Sequence, residues 1–169
     1  MTITGPDERW TDLGRQACKV LAPYFVAVEH IGSTAVPGVA APPLVIDLLA
    51  AAEELDDVND ERLQHFGWRM ETSDTPDELH YRREDYDSTP YFLRVVQVET
   101  WPDRGERLFR DHLLTDPEAR DRYAASKREL MDRCGPGEAY TRGKDALIRE
   151  LTDAARAARG LPPVPVREQ

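Results

Sequence analysis

The densest set of groups able to do chemistry lies in Glu29-His30-Ile31-Gly32-Ser33-Thr34-Ala35-Val36-Pro37-Gly38. A Gly-Ser-Thr leaving a strand makes a tight backbone turn with free N–H groups and two hydroxyls. Turns of that kind can cradle phosphate oxygens. Nine residues past Gly38 stands Asp47, a lone carboxylate inside the apolar run LVIDLLA. Burying a carboxylate there is costly unless it is hydrogen-bonded, paired or bound to a metal. Two readings of Asp47 stay open: a ligand or metal role, or a structural hydrogen-bond partner. His30 is either a general base beside the phosphate turn or a strand histidine hydrogen-bonded in the core.

Basic residues supply the next candidates. Arg82-Arg83 and Arg94 fall on neighbouring strands of an expected hairpin. They form an anion pocket if one hairpin face meets the Gly-Ser-Thr turn, and otherwise offset surface acids. Arg110, beside Asp111, either meets phosphate or locks a helix to the sheet. Tyr123/Lys127 and Tyr140/Lys144 are i, i+4 pairs, so each presents one helix face. Their lysines line a pocket, or the helices are simply amphipathic. GEAYTRGKD (137–145) departs from a phosphate-binding P-loop in its glycine spacing, and it carries Asp145 where Ser or Thr is needed. His65, His80 and His112 lack zinc-site spacing.

These residues need elements to position them. Trp10, Leu13, Ala17 and Leu21 recur at helical spacing, with Pro6 near the start and Pro23 at the end. Phe25–Ile31 reads as a strand with His30 and Glu29 on opposite faces. Leu44–Ala50 reads as a strand buried on both faces. Val58, Leu63 and Phe66 fit a short helix stopped by Gly67. Glu78–Glu84 and Tyr91–Val98 read as a hairpin about the DYDSTP turn. Asp116-Pro117 is a helix start, an N-cap acid followed by proline. Gly135-Pro136-Gly137 ends that helix, and a last one runs from about Glu138 to Arg159. The order predicts an α/β (α+β) domain over 1–160, with an extended tail over 161–169.

Composition narrows the function classes. The chain has 169 residues, 22 Lys+Arg against 32 Asp+Glu, and a net charge of −10. That balance argues against generic nucleic-acid or anionic-membrane binding, which begins with a basic footprint. It leaves room for a small basic pocket. No run approaches a membrane span, and no secretory signal is visible. Cys18 and Cys134 are read as free thiols in a reducing, cytoplasmic setting.

The stretch EHIGSTAVPGVAAPPLVIDL resembles the opening signature of the GrpB family, whose members share a nucleotidyltransferase-like fold. Phe109-Arg110-Asp111, Tyr123 with Lys127, and Tyr140 with Lys144 are similar to the family's second half. The resemblance implies a small mixed sheet flanked by helices, with a C-terminal helical segment. It implies that Gly32, Ser33 and Thr34 hold phosphate and that Asp47 holds Mg²⁺. Arg83, Arg94, Arg110, Lys127 and Lys144 would neutralise the charge of a nucleotide or other phosphorylated small molecule. The implied reaction is nucleotidyl transfer by in-line attack on an α-phosphate, for which His30, read from its place beside the turn, is the candidate base.

Three departures support a second reading, a non-catalytic phosphate-binding or regulatory module. Leu49 stands where the superfamily has a second metal carboxylate. Pro42-Pro43 replaces a Lys-Pro pair, and Arg94 replaces a histidine that could shuttle protons. A second carboxylate close to Asp47, Glu29 or Glu99, would favour the metal-dependent enzyme.

Overall fold

Apolar alternation along the central strands sets the architecture. The computed structural model describes residues 8–39 and 45–163. Helix α1 (Glu8–Leu21) leads into strand β1 (Ala27–Ile31), and β2 (Ile46–Ala52) follows the Gly-Ser-Thr turn. Helix α2 (Asp60–His65) precedes three strands, β3 (Arg69–Glu71), β4 (Glu78–Glu84) and β5 (Pro90–Gln97). Three helices close the chain: α3 (Gly105–Thr115), α4 (Pro117–Cys134) and α5 (Glu138–Ala157). The strands form one sheet in the order β1-β2-β5-β4-β3, parallel between β2 and β5 and antiparallel elsewhere. This is the mixed α/β arrangement expected from the sequence.

Local signals explain several boundaries. Asn59 caps α2 by accepting from Arg62 N at 2.8 Å, and Asp116 caps α4 by accepting from Ala119 N at 3.0 Å. Pro117 occupies the first helical position of α4, where a missing N–H costs little. Strand β1 begins two residues later than expected, because Pro23 sits in a 3-10 turn over Ala22–Tyr24. Strand β2 runs to Ala52 rather than Ala50. Residues 1–7, 40–44 and 164–169 lie outside the described residues, and with them Pro6, the Pro42-Pro43 pair, Leu44 and most of the expected tail. Strand β3 was not expected. Its three residues are all exposed and carry no apolar alternation.

The pleat divides the sheet into two faces. Ile46, Leu48, Ala50, Tyr91, Leu93 and Val95 point to one face, where they pack with Ala17 and Leu21 of α1 and with Leu63 and Trp68. The other face carries Ile31, Leu49 and Val96, and with them the polar residues Glu29, Asp47 and Arg94. Helices α3, α4 and α5 pack over that side around Phe109, Leu113, Tyr123 and Leu151, joined by Val36 and Val39 from the loop after β1. The cleft lies between this polar face and the C-terminal helices.

Candidate functional site

The cleft floor is built where β1 ends beside β2. Ile31 pairs with Asp47 across the two strands, so the Gly-Ser-Thr turn begins next to that carboxylate. Gly32 has φ +75°, and a Cβ on it would lie 2.7 Å from Asp47 Oδ2. Glycine is needed there for both conformation and close approach. Burial pushes Asp47 up to about 6, against the opposing pull of Arg94, Lys144 and Lys127.

Lys127 is the most unusual group at the site. It is 4% exposed, on α4, and its Nζ lies 3.4 Å from Ser33 Oγ and 5.5 Å from the centre of the Tyr123 ring. Lys144, from α5, has its Nζ 5.8 Å from the Tyr140 ring centre. Among the described residues neither lysine forms an ion pair with a carboxylate. Burial pushes Lys127 down to about 8; Lys144 adds to that fall and Asp47 opposes it. A buried lysine with no direct counter-ion is costly unless an anion joins it.

The far wall is charged but internally balanced. Glu78, with a side chain 4% exposed, accepts from Arg104 at 2.6 Å, lies 3.4 Å from Arg94 Nε, and bonds His80 Nε2 at 3.0 Å. Glu106 pairs with both Arg94 and Arg104. Burial would raise Glu78 and Glu106, but the hydrogen bonds from His80 and Arg104 and the nearby arginine charges hold both below the usual range. The open cleft measures about 730 Å³, lined also by Phe109, Tyr123, Ile148 and Arg149. That is the size of a small-molecule site.

The structure gathers Gly32, Ser33, Asp47, Arg94 and Lys144 on the cleft lining, with Lys127 behind Ser33. It takes four expected residues elsewhere. His30 sits on the opposite sheet face, packed on Gly14 of α1 and away from Asp47. Thr34 Oγ1 donates to Val45 O at 2.8 Å, so its one proton is used and His30 Nε2–H donates to it at 2.9 Å. Burial, with the Arg110 charge, pushes His30 down to about 4. That histidine is a neutral structural link in this geometry, and the Thr34 hydroxyl is its partner rather than a phosphate donor.

Arg83 also faces away. It is paired with Asp85 at 2.7 Å and stacked 4.6 Å from the Tyr91 ring centre. Arg110 donates to Glu29 at 2.6 Å and to His30 O at 2.9 Å, tying α3 to β1. Arg107 grips the same carboxylate through both oxygens at 2.8 and 3.0 Å. Arg94 reaches the cleft, yet two glutamates already hold it. The reading of the sequence missed Arg104, Glu106, Glu78 and His80. No motif marks them, and only their neighbourhood in the fold makes them one wall.

Metal donors are sparse. Leu49 is fully buried on the same sheet face as Asp47, where a second carboxylate would stand. Glu29 is consumed by two arginines, and Glu99 is exposed. Among the described residues no group of three or more His, Cys, Asp or Glu converges to hold an ion. One carboxylate ringed by three cations does not fit a two-ion centre.

The chain is similar to known proteins along most of its length. The description GrpB protein matches residues 1–154. The chain is 30% identical to UPF0157 protein BH1888 of Halalkalibacterium halodurans over 165 residues, covering 93% of this chain and 83% of that one. It is 26% identical to UPF0157 protein YqkA of Bacillus subtilis, of which it spans 46%. Among solved structures it is similar to the conserved protein GrpB of Enterococcus faecalis, with a TM-score of 0.79 at 23% identity, covering 93% of this chain and 98% of that one. It is also similar to terminal uridylyl transferase 4 of Trypanosoma brucei with bound GTP, with a TM-score of 0.54 at 17% identity, covering 96% of this chain and 54% of that one. At those identities the likeness shows a shared fold, nucleotidyltransferase-like. No helix among the described residues is long and apolar enough to cross a membrane.

Proposed function

The chain belongs to the GrpB family, and from that premise we propose that its cleft binds the phosphate groups of a nucleotide or another phosphorylated small molecule. One observation carries this reading: the buried Lys127 ammonium, without a direct carboxylate partner among the described residues, against the Ser33 hydroxyl. An incoming phosphate supplies the missing counter-charge. Ser33 Oγ donates to it, Lys127 and Lys144 neutralise it, and Arg94 stands across the cleft. The positive charge that a two-ion centre would otherwise supply is already present as side chains. Magnesium is therefore not required to hold the phosphate, and no chemical step is derived through it.

Nucleotidyl transfer is the second reading. The fold likeness to a uridylyl transferase with bound GTP favours it, as does a carboxylate, Asp47, on the cleft floor. The leucine at position 49 counts against it. A thermal-shift screen of nucleotides and inorganic pyrophosphate, each with and without Mg²⁺, tests both. Stabilisation by phosphate ligands in the absence of metal supports phosphate binding by side-chain cations. Stabilisation that needs metal, and is lost in Asp47→Ala, supports the transferase instead.

A further inference from the structure

Only three of the 22 basic residues in the chain are lysines: Lys19, Lys127 and Lys144. Arginine is the chain's ordinary cation. Two of the three lysines nevertheless stand at the cleft: Lys144 lines it, and Lys127, almost wholly buried, lies behind Ser33. Arginine at position 127 would stay charged under all conditions. Lysine can lose its proton, and a neutral amine is a nucleophile.

We propose that Lys127 is a reactive amine at which small phosphorylated aldehydes form an imine. The inference rests on the phosphate reading of the cleft and names a substrate class for it. Three features carry it. Lys127 is desolvated, it has a second ammonium nearby on α5, and among the described residues it has no carboxylate ion pair to hold its proton. Desolvation and a neighbouring cation are the two devices that activate lysine amines. Ser33 and Tyr123 line the cleft, and Nζ lies 3.4 Å from Ser33 Oγ and 5.5 Å from the Tyr123 ring centre, so the nitrogen stands just behind the cleft surface. In its charged form the nitrogen pairs with phosphate. In its neutral form it attacks carbon, and burial brings both forms within reach near neutral pH.

The chemistry needs no oxidant, reductant or metal. The neutral Nζ adds to the carbonyl carbon, and the carbonyl oxygen takes up a proton to give a carbinolamine. The nitrogen gives up its remaining proton, the hydroxyl departs as water, and the C=N bond forms. Lys144 and the Ser33 hydroxyl hold the phosphate while this occurs.

Pyridoxal 5′-phosphate serves as the probe aldehyde, on the full chain. Borohydride then reduces the C=N bond to a stable secondary amine, and digestion with mass spectrometry locates the label. With three lysines and one terminal amine the map is unambiguous. Lys127 should take label about tenfold faster than Lys19, and about tenfold faster than with unphosphorylated pyridoxal. Labelling should rise with pH through about 8, and inorganic pyrophosphate should suppress it. Lys127→Arg should lose the label, whereas Lys19→Arg, at an exposed position of α1 outside the cleft, should keep the Lys127 label and still bind pyrophosphate.

An unlabelled Lys127, or label spread evenly over the three lysines, overturns the proposal. If pyrophosphate still stabilises the protein in that case, the phosphate reading stands without it. Equal labelling by both aldehydes, with no protection by pyrophosphate, overturns the proposal and the phosphate reading together.

Discussion

Lys127 Nζ lies 3.4 Å from Ser33 Oγ, across 94 positions of sequence, and joins α4 to the turn that follows β1. The contact places a buried positive charge against a hydroxyl that can turn toward an anion. In the free protein that charge is a cost to folding; in a phosphate complex it becomes an attraction.

Replacing Lys127 by methionine separates the two effects. Methionine keeps most of the volume and removes the charge. The free protein should hold its thermal midpoint or gain, because an uncompensated buried charge is gone. Phosphate affinity should fall by about tenfold or more, in line with one lost charge-assisted hydrogen bond. A methionine variant that unfolds readily and binds phosphate normally would reverse this assignment.

Lys127 also fixes a pH signature. Its folded value of about 8 lies below the ordinary 10.5. The unfolded chain therefore binds more protons between those values, and stability rises with pH across that window. Phosphate binding runs the other way, since it needs the ammonium, and should weaken above about pH 8. Denaturation midpoints from pH 7 to 10.5, beside phosphate titrations at the same pH values, check both slopes. In Lys127→Met both should flatten.

Asp47 has the opposite sign. Its folded value of about 6 lies above the ordinary 3.8, so the native state binds more protons between them. Stability is greatest below pH 4 on this account and is lost as pH rises through 6. Asp47→Asn should stabilise the protein at pH 7 by about 1–3 kcal/mol, and the gain should vanish below pH 4. The same substitution removes a negative charge from among three cations, so it should tighten phosphate binding measured without metal.

Gly14 lies against the His30 ring, and a Cβ there would come within 2.1 Å of Nδ1. Gly14→Ala should destabilise the protein by about 1–3 kcal/mol through overpacking. Adding His30→Ala should return part of that loss, which a double-mutant cycle measures. Phosphate affinity should not change in either variant, because His30 faces away from the cleft.

The legible features of this protein are local. Asp116-Pro117 announced the start of α4 through one capping bond and one missing N–H. The turn at Gly32 and the carboxylate at Asp47 were joined through the family resemblance, and the pairing of β1 with β2 sets them side by side. Period-2 alternation separates Arg82 from Arg83 along one strand, but it gives neither the register with Arg94 on the next strand nor the sheet face that meets the C-terminal helices. That placement sent Arg83 to Asp85 and Tyr91. Arg110 was read as either a phosphate ligand or a lock, and its partner Glu29 lies 81 positions away. The i, i+4 pairing of Tyr123 with Lys127 gave the helix face. The burial of Lys127 comes from packing of α4 against α5 and the turn after β1, which no short stretch of sequence encodes. Strand β3 was invisible because three exposed residues carry no hydrophobic pattern.

The most direct measurement is calorimetric titration of ADP into the full chain with a chelator present, for the native protein and for Lys127→Met. Phosphate binding by side-chain cations predicts measurable affinity without divalent metal, and about tenfold or greater weakening in the variant. Binding that appears only with Mg²⁺, or that is equal in the two proteins, would contradict it.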